Sequence, residues 1–160
     1  MARSDQREER DLLRMRRAVG KGEQALAELD RLLLSVDGIC PSDLSILDRL
    51  SRKGPEAVNA LGRRIGLTSG SITTAVQRLR KRGLISTLRV ENDKRVVSVE
   101  VTPEGIDLAK RLTKKRSEAL KSIFADWSPR ERDLLQSLLK RVQKTTKEYQ
   151  ARAASKESRS

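Results

Sequence analysis

Histidine is absent from the 160 residues, and cysteine occurs once, at Cys40. A chain without histidine has no imidazole base for catalysis. With a single thiol it can build neither an internal disulfide nor a nitrogen-and-sulfur metal site. Long apolar runs are missing as well. No stretch approaches the roughly 18 apolar residues that a membrane span requires, and the opening MARSDQREER has no apolar centre of the kind a signal peptide carries. The expectation is therefore a cytoplasmic chain with no membrane partner and no cofactor. An enzyme is not expected, because no nucleophile and base, ligand cluster or phosphate-cradling glycine loop can be assembled. Cys40, as a lone thiol, is expected to be a small buried side chain.

What the chain has in quantity is charge. Hydrophobic and charged residues each make up 36%, and the net charge is +13. That balance is too polar for a large self-sufficient core and too regularly patterned for disorder. The excess is local. Between Leu61 and Arg95 there are nine Lys and Arg against two acids, more than half of the total excess, whereas Met1 to Ser35 has eight basic and seven acidic residues. The first pattern calls for an anionic partner; the second is that of a solvated helix with intrahelical ion pairs.

From about Asp5 to Val36, Leu12, Val19, Leu26 and Leu33 recur every seven residues, with Met15, Leu29 and Val36 between them. A helix with so narrow an apolar seam must meet another helix. Gly38-Ile39-Cys40-Pro41 breaks it, and Ser42 is placed to cap a second helix carrying Leu44, Leu47 and Leu50, closed by Gly54-Pro55.

The segment EAVNALGRRIGLTSGSITTAVQRLRKRGL carries the most information. A short helix with Val58, Leu61 and Ile65 inward stops at Gly66, and Thr68 or Ser69 caps a second helix that runs to Gly83, which makes a helix-turn-helix. At about 100° per residue, Ile72, Ala75, Val76 and Leu79 form its buried stripe. Ser69, Ser71, Thr73, Thr74, Gln77, Arg78, Lys81 and Arg82 are left outward. Hydroxyls, an amide and cations on one helix suit base edges and phosphates in a major groove, with Thr74, Gln77 and Arg78 expected to specify bases and Lys81, Arg82 and Lys94 to engage phosphate.

After Gly83 the period changes to two. Strands Ile85 to Val90 and Val96 to Val101 flank Glu91-Asn92-Asp93-Lys94-Arg95, with Val97, Val99 and Val101 on one face. This hairpin has a charged, projecting tip and comes directly after a recognition helix, which makes it a wing. Thr102-Pro103 opens a further helix with a cap and a proline, and Ser128-Pro129-Arg130-Glu131 opens the last with a capping box. Leu135, Leu138, Val142 and Tyr149 form a second narrow seam, Phe124 and Trp127 mark the helix junction, and the tail after about Ala154 is expected to be disordered.

These readings add up to a mainly α chain with a small β-hairpin, α+β in class: a winged helix-turn-helix over 42–102, a dimerisation helix over 1–37, helices over 103–154 that complete the dimerisation region, and a tail over 155–160. The dimer seams are Leu12, Val19, Leu26, Leu29 and Leu33 at one end and Leu135, Leu138, Val142 and Tyr149 at the other. A nonspecific DNA- or RNA-binding protein would use the same basic patch without defined half-sites, and an interaction module would use the seams alone.

LGRRIGLTSGSITTAVQRLRKRGLI at 61–85, Asp93-Lys94-Arg95, and Thr102-Pro103-Glu104-Gly105 together resemble the MarR family of bacterial transcription regulators, over about residues 10 to 150. The resemblance implies a homodimer with interlocked terminal helices, bound to a pseudo-palindromic double-stranded DNA operator as a repressor. It also implies that Arg95 enters the minor groove with Asp93 holding it. A small anionic or phenolic effector, bound between the dimer helices and the DNA-binding lobe, is a further implied partner.

Overall fold

A computed structural model describes residues 2–89 and 97–157, with side chains from Asp5 to Thr87 and from Ser98 to Ser155. In chain order the elements are α1 (Ala2–Ser35), α2 (Pro41–Lys53), β1 (Glu56–Ala57), α3 (Val58–Ile65), α4 (Ser69–Lys81), β2 (Ile85–Arg89), β3 (Val97–Val101), α5 (Pro103–Ile123) and α6 (Pro129–Glu157). Residues 1–118 make one compact unit and 119–160 a second.

The core of the first unit forms where apolar stripes of several helices converge. Leu34 from α1, Leu44, Leu47 and Leu50 from α2, Leu61 from α3, and Ile72 and Leu79 from α4 are fully buried or nearly so. The first turns of α5 complete this core through Leu108, Ala109 and Leu112, so the start of that helix belongs to the lobe. β2 and β3 pair antiparallel, with Ile85 opposite Val101 and Thr87 opposite Val99. Val99 is fully buried against the helices. β1, two residues long, adds to the other edge of β3 through Glu56 opposite Val99, giving the order β1-β3-β2. No apolar alternation marks a two-residue strand, and the sequence reading does not contain it.

Most helix ends lie where their capping chemistry puts them. Gly54 and Gly66 come after α2 and α3 at φ of +78° and +74°, a region that costs a residue with a Cβ. Thr68, one of the two expected caps, accepts from the Ser71 amide at 3.2 Å. Ser128 and Glu131 form the reciprocal box at the start of α6: the Ser128 amide donates to Glu131 Oε2 at 2.8 Å, and the Glu131 amide to Ser128 Oγ at 3.3 Å. A hydrogen bond from the Ser128 hydroxyl at 2.7 Å, and then the one from its amide, hold the Glu131 carboxyl below its usual range. Two expectations are corrected. Cys40, not Ser42, stands at the N-cap of α2, because Pro41 takes the first helical position, where its missing N–H costs nothing. At the other end α6 stays helical to Glu157, past the point where the tail was expected to be disordered.

Thr102 ties the sheet to α5. Its hydroxyl donates to Gly83 O at 2.8 Å and accepts from the Gly105 amide at 3.2 Å, while its own amide donates to Leu84 O at 3.1 Å. The helix is thereby pressed so close to the strand that a Cβ on Gly105 would stand 2.1 Å from Leu84 O. Backbone cannot yield as a flexible side chain can. Gly105→Ala is expected to destabilise the chain by about 3 kcal/mol, read from the urea midpoint; a midpoint unchanged from wild type would show that the contact relaxes at no cost.

Candidate nucleic-acid interface

The outward face of α4 is built as its periodicity predicts. Ile72, Ala75, Val76 and Leu79 are buried, and Ser69, Ser71, Thr73, Thr74, Gln77 and Lys81 are exposed. α3 crosses beneath at short range because Gly62 has no side chain: a Cβ there would lie 3.0 Å from Ile72 Cγ2. Thr73 spends its hydroxyl proton on Ser69 O at 2.8 Å, which leaves its oxygen as an acceptor outward.

Two of the cations assigned to DNA are engaged elsewhere. Arg78 faces the buried Asp43 carboxylate side-on, with Nε to Oδ2 at 3.0 Å and Nη2 to Oδ1 at 2.5 Å. Its charge is held on still more firmly than an arginine's ordinarily is, first by that hydrogen bond. Arg82 donates to the Gly38 and Asp37 carbonyls at 2.6 and 2.9 Å. Asp93, Lys94 and Arg95 lie outside the described residues, so the wing tip adds nothing to this geometry.

Beside α4 runs a groove of about 580 Å³ whose lining includes Asn59, Arg63, Thr73, Gln77, Arg80 and Thr87. Neither Arg63 nor Arg80 has an acid partner among the described residues. Both lie within the basic window of the sequence, but only the packing of α3 against α4 brings them together next to Gln77. A second concavity, about 370 Å³, lies among α2, the end of α3 and α5, and Arg49, Arg52, Arg64 and Arg116 line it with Ser45 and Thr113. Here each guanidinium has an acid: Arg49 meets Glu56 at 2.6 Å, Arg52 meets Asp48 at 2.6 Å, Arg64 reaches Glu56 at 3.7 Å and Arg116 meets Asp30 at 2.7 Å.

Cys40 is exposed, which corrects the expectation of a buried thiol: the N-cap position leaves its side chain outside the first turn of α2. The seam residues Leu12, Val19 and Leu26 of α1 are exposed, and Leu29 and Leu33 half-buried; in α6, Leu135, Leu138, Val142 and Tyr149 are exposed. Phe124 and Trp127 meet edge to face at 5.2 Å, as a helix junction requires. No helix of the described residues is long and apolar enough to cross a membrane.

Residues 39–97, which contain α2, the helix-turn-helix and the wing as far as the start of β3, match the MarR family model. This stretch is a MarR-family domain. The chain is 28% identical over 112 residues to the HTH-type transcriptional regulator MhqR of Bacillus subtilis, covering 70% of this chain and 77% of that protein. The structure of reduced AbfR bound to DNA superposes with a TM-score of 0.77 at 22% identity, covering 90% of this chain and 97% of that one. That of NadR in complex with 4-hydroxyphenylacetate gives 0.64 at 25% identity, covering 78% and 89%. With this MarR-family domain the chain is a winged helix-turn-helix transcription regulator, and the relatives it resembles are regulators, not enzymes.

The arginine-lined concavity makes the MarR-type lobe sensitive to acid. Glu56 is held below the ordinary carboxylate range, first by its hydrogen bonds from Arg49, against the opposing effect of burial. A carboxylate with a depressed folded-state pKa contributes stability above its unfolded value, about 4.3, and loses it as pH falls through the folded value. Glu56→Gln should therefore be less stable than wild type at neutral pH, with the gap closing as pH falls below about 4. Denaturant titrations of both proteins across that range check this; a gap that widens towards acid would show the sign to be wrong.

Proposed function

We propose that the chain is a homodimeric repressor that reads a pseudo-palindromic operator through α4 in the major groove of each half-site. The observation that carries this reading is the outward face of α4, where Ser69, Ser71, Thr74, Gln77 and Lys81 stand exposed above a fully buried stripe. Thr74 and Gln77 are the base readers; Lys81, with Arg63 and Arg80 in the adjoining groove, engages phosphate. On the wing, Lys94 also meets phosphate, and Arg95, oriented by Asp93, occupies the minor groove, in keeping with the family resemblance. Dimerisation is supported by the uncovered seams of α1 and α6, whose Leu, Val and Tyr side chains a second copy would bury. The proposed partition is dimerisation segments over 1–37 and 103–154 and a winged lobe over 42–102, whose core the first turns of α5 complete.

The arginine-lined concavity suits an anionic effector, and the structure of the similar NadR holds the aromatic carboxylate 4-hydroxyphenylacetate. Such a ligand would compete with Glu56, Asp48 and Asp30 for their guanidinium partners, so its binding would reset contacts among α1, α2, α3 and α5.

Selection of bound sequences from random duplex tests the reading. It should return an inverted repeat, with the selected site bound at least about 10³-fold tighter than random duplex; random duplex competing equally would leave a nonspecific binder. Gln77→Ala should cost about 1–3 kcal/mol on the selected site and relax the preference there, whereas Lys81→Ala should weaken all sequences alike and flatten the salt slope by about one unit. Leu26→Asp or Leu138→Asp should abolish the dimer in sedimentation. A folded wild-type monomer at micromolar concentration would overturn the homodimer.

A further inference from the structure

Arg78 and Arg82 stand one helical turn apart on the same edge of α4. Both reach back from DNA toward the segment 37–43 that joins α1 to α2. Arg78 forks onto Asp43, a fully buried carboxylate at the third position of α2 that also accepts the Cys40 amide at 3.0 Å. Arg82 grips the Gly38 and Asp37 carbonyls beyond the end of α1, where Gly38 turns the chain at φ +61°. Asp37 is fastened in turn by its carboxylate, which accepts from Arg111 Nη2 of α5 at 2.8 Å. One edge of the recognition helix is thus clasped at two points to a joint that is itself tied to α5.

A cation used this way contributes little to DNA attraction. The Asp43–Arg78 pair is neutral as a unit, and drawing Arg78 onto a base or phosphate would strand a buried carboxylate with one amide for company. Arg82 satisfies carbonyls just past a helix end, groups that lack intrahelical donors. What the two side chains do set is the tilt and rotation of α4, and a displacement of about 1 Å in a recognition element is enough to misplace bidentate base contacts.

We propose that Arg78 and Arg82 are positioning residues, which fix how α4 enters the major groove by clamping one of its edges to the α1–α2 joint, and that neither reads a base or a phosphate. This role rests on the proposed DNA binding through α4. It has two corollaries. Asp43, an anion, supports DNA binding; and the charge that meets DNA from α3 and α4 comes from Lys81, Arg63 and Arg80.

The test is the affinity of the full chain for its selected duplex at several salt concentrations. Arg78→Lys keeps the charge and loses the fork, and it should weaken binding about tenfold or more. Asp43→Asn removes an anion near DNA and should nevertheless weaken binding similarly. Arg82→Ala should weaken it with the salt slope unchanged, as should Arg78→Ala. Asp43→Asn/Arg78→Gln, an uncharged pair able to restore the hydrogen bond, should bind better than either Asp43→Asn or Arg78→Lys alone. It leaves no buried charge, so it carries the test where Arg78→Ala fails to give a cooperative melt. A slope smaller by about one unit in the Arg78 or Arg82 variants, wild-type affinity in Arg78→Lys, or tighter binding in Asp43→Asn would overturn the proposal and leave DNA binding standing. Wild-type chain that binds no duplex at all would sink the DNA-binding reading, and the positioning role with it.

Discussion

A buried carboxylate must be matched, and at Asp43 that demand falls on the recognition helix. Taking one carboxylate out of water costs several kcal/mol unless hydrogen bonds and an opposite charge replace the lost hydration. The Cys40 amide supplies one bond and the Arg78 fork supplies two. Because Arg78 sits on α4 between Gln77 and Leu79, the rotation that meets Asp43 also turns Leu79 into the core and leaves Gln77 outward. The ion pair and the buried stripe therefore call for the same rotation of the helix. The apolar packing alone fixes the stripe; the ion pair fixes the helix along its axis as well.

Close approach at two glycines does the rest of the positioning. Gly62 lets α3 come down on Ile72, and Gly105 lets α5 meet the Leu84 carbonyl. Thr102 holds that second junction with three hydrogen bonds. The consequence is a sheet whose Gly83–Leu84 end is held against the start of α5. Side chains that contact a partner need such supports behind them to be held in place.

The net charge of +13 overstates what is offered to an anionic partner. In the arginine-lined concavity Arg49, Arg52, Arg64 and Arg116 are each set against an acid, and Arg78 is neutralised by Asp43. Arg63 and Arg80, by contrast, open onto the groove beside Gln77. The two populations line different concavities of the same small lobe. Their separation lets one surface attract a polyanion while another holds guanidinium groups that a small anion could claim from their carboxylates.

Much of this architecture was legible along the chain. Heptad spacing marked α1, Gly66 and Thr68 bounded the turn, the 100° period picked out Ile72, Ala75, Val76 and Leu79, and Ser128 with Glu131 announced α6. These are local properties, settled within one or two helical turns, and a sequence states them directly. Periodicity also placed Arg78 and Arg82 on an outward edge of α4. It could not say what waits there, because Asp43 is 35 residues away and the Gly38 carbonyl 44. The two-residue strand β1, the exposure of Cys40 and the placing of Arg63 and Arg80 on one groove were hidden for the same reason. Which side chains face outward is decided by the repeat of the helix; which of them remain free for a partner is decided only when distant segments pack, since a buried charge takes the counter-ion that the fold brings to it.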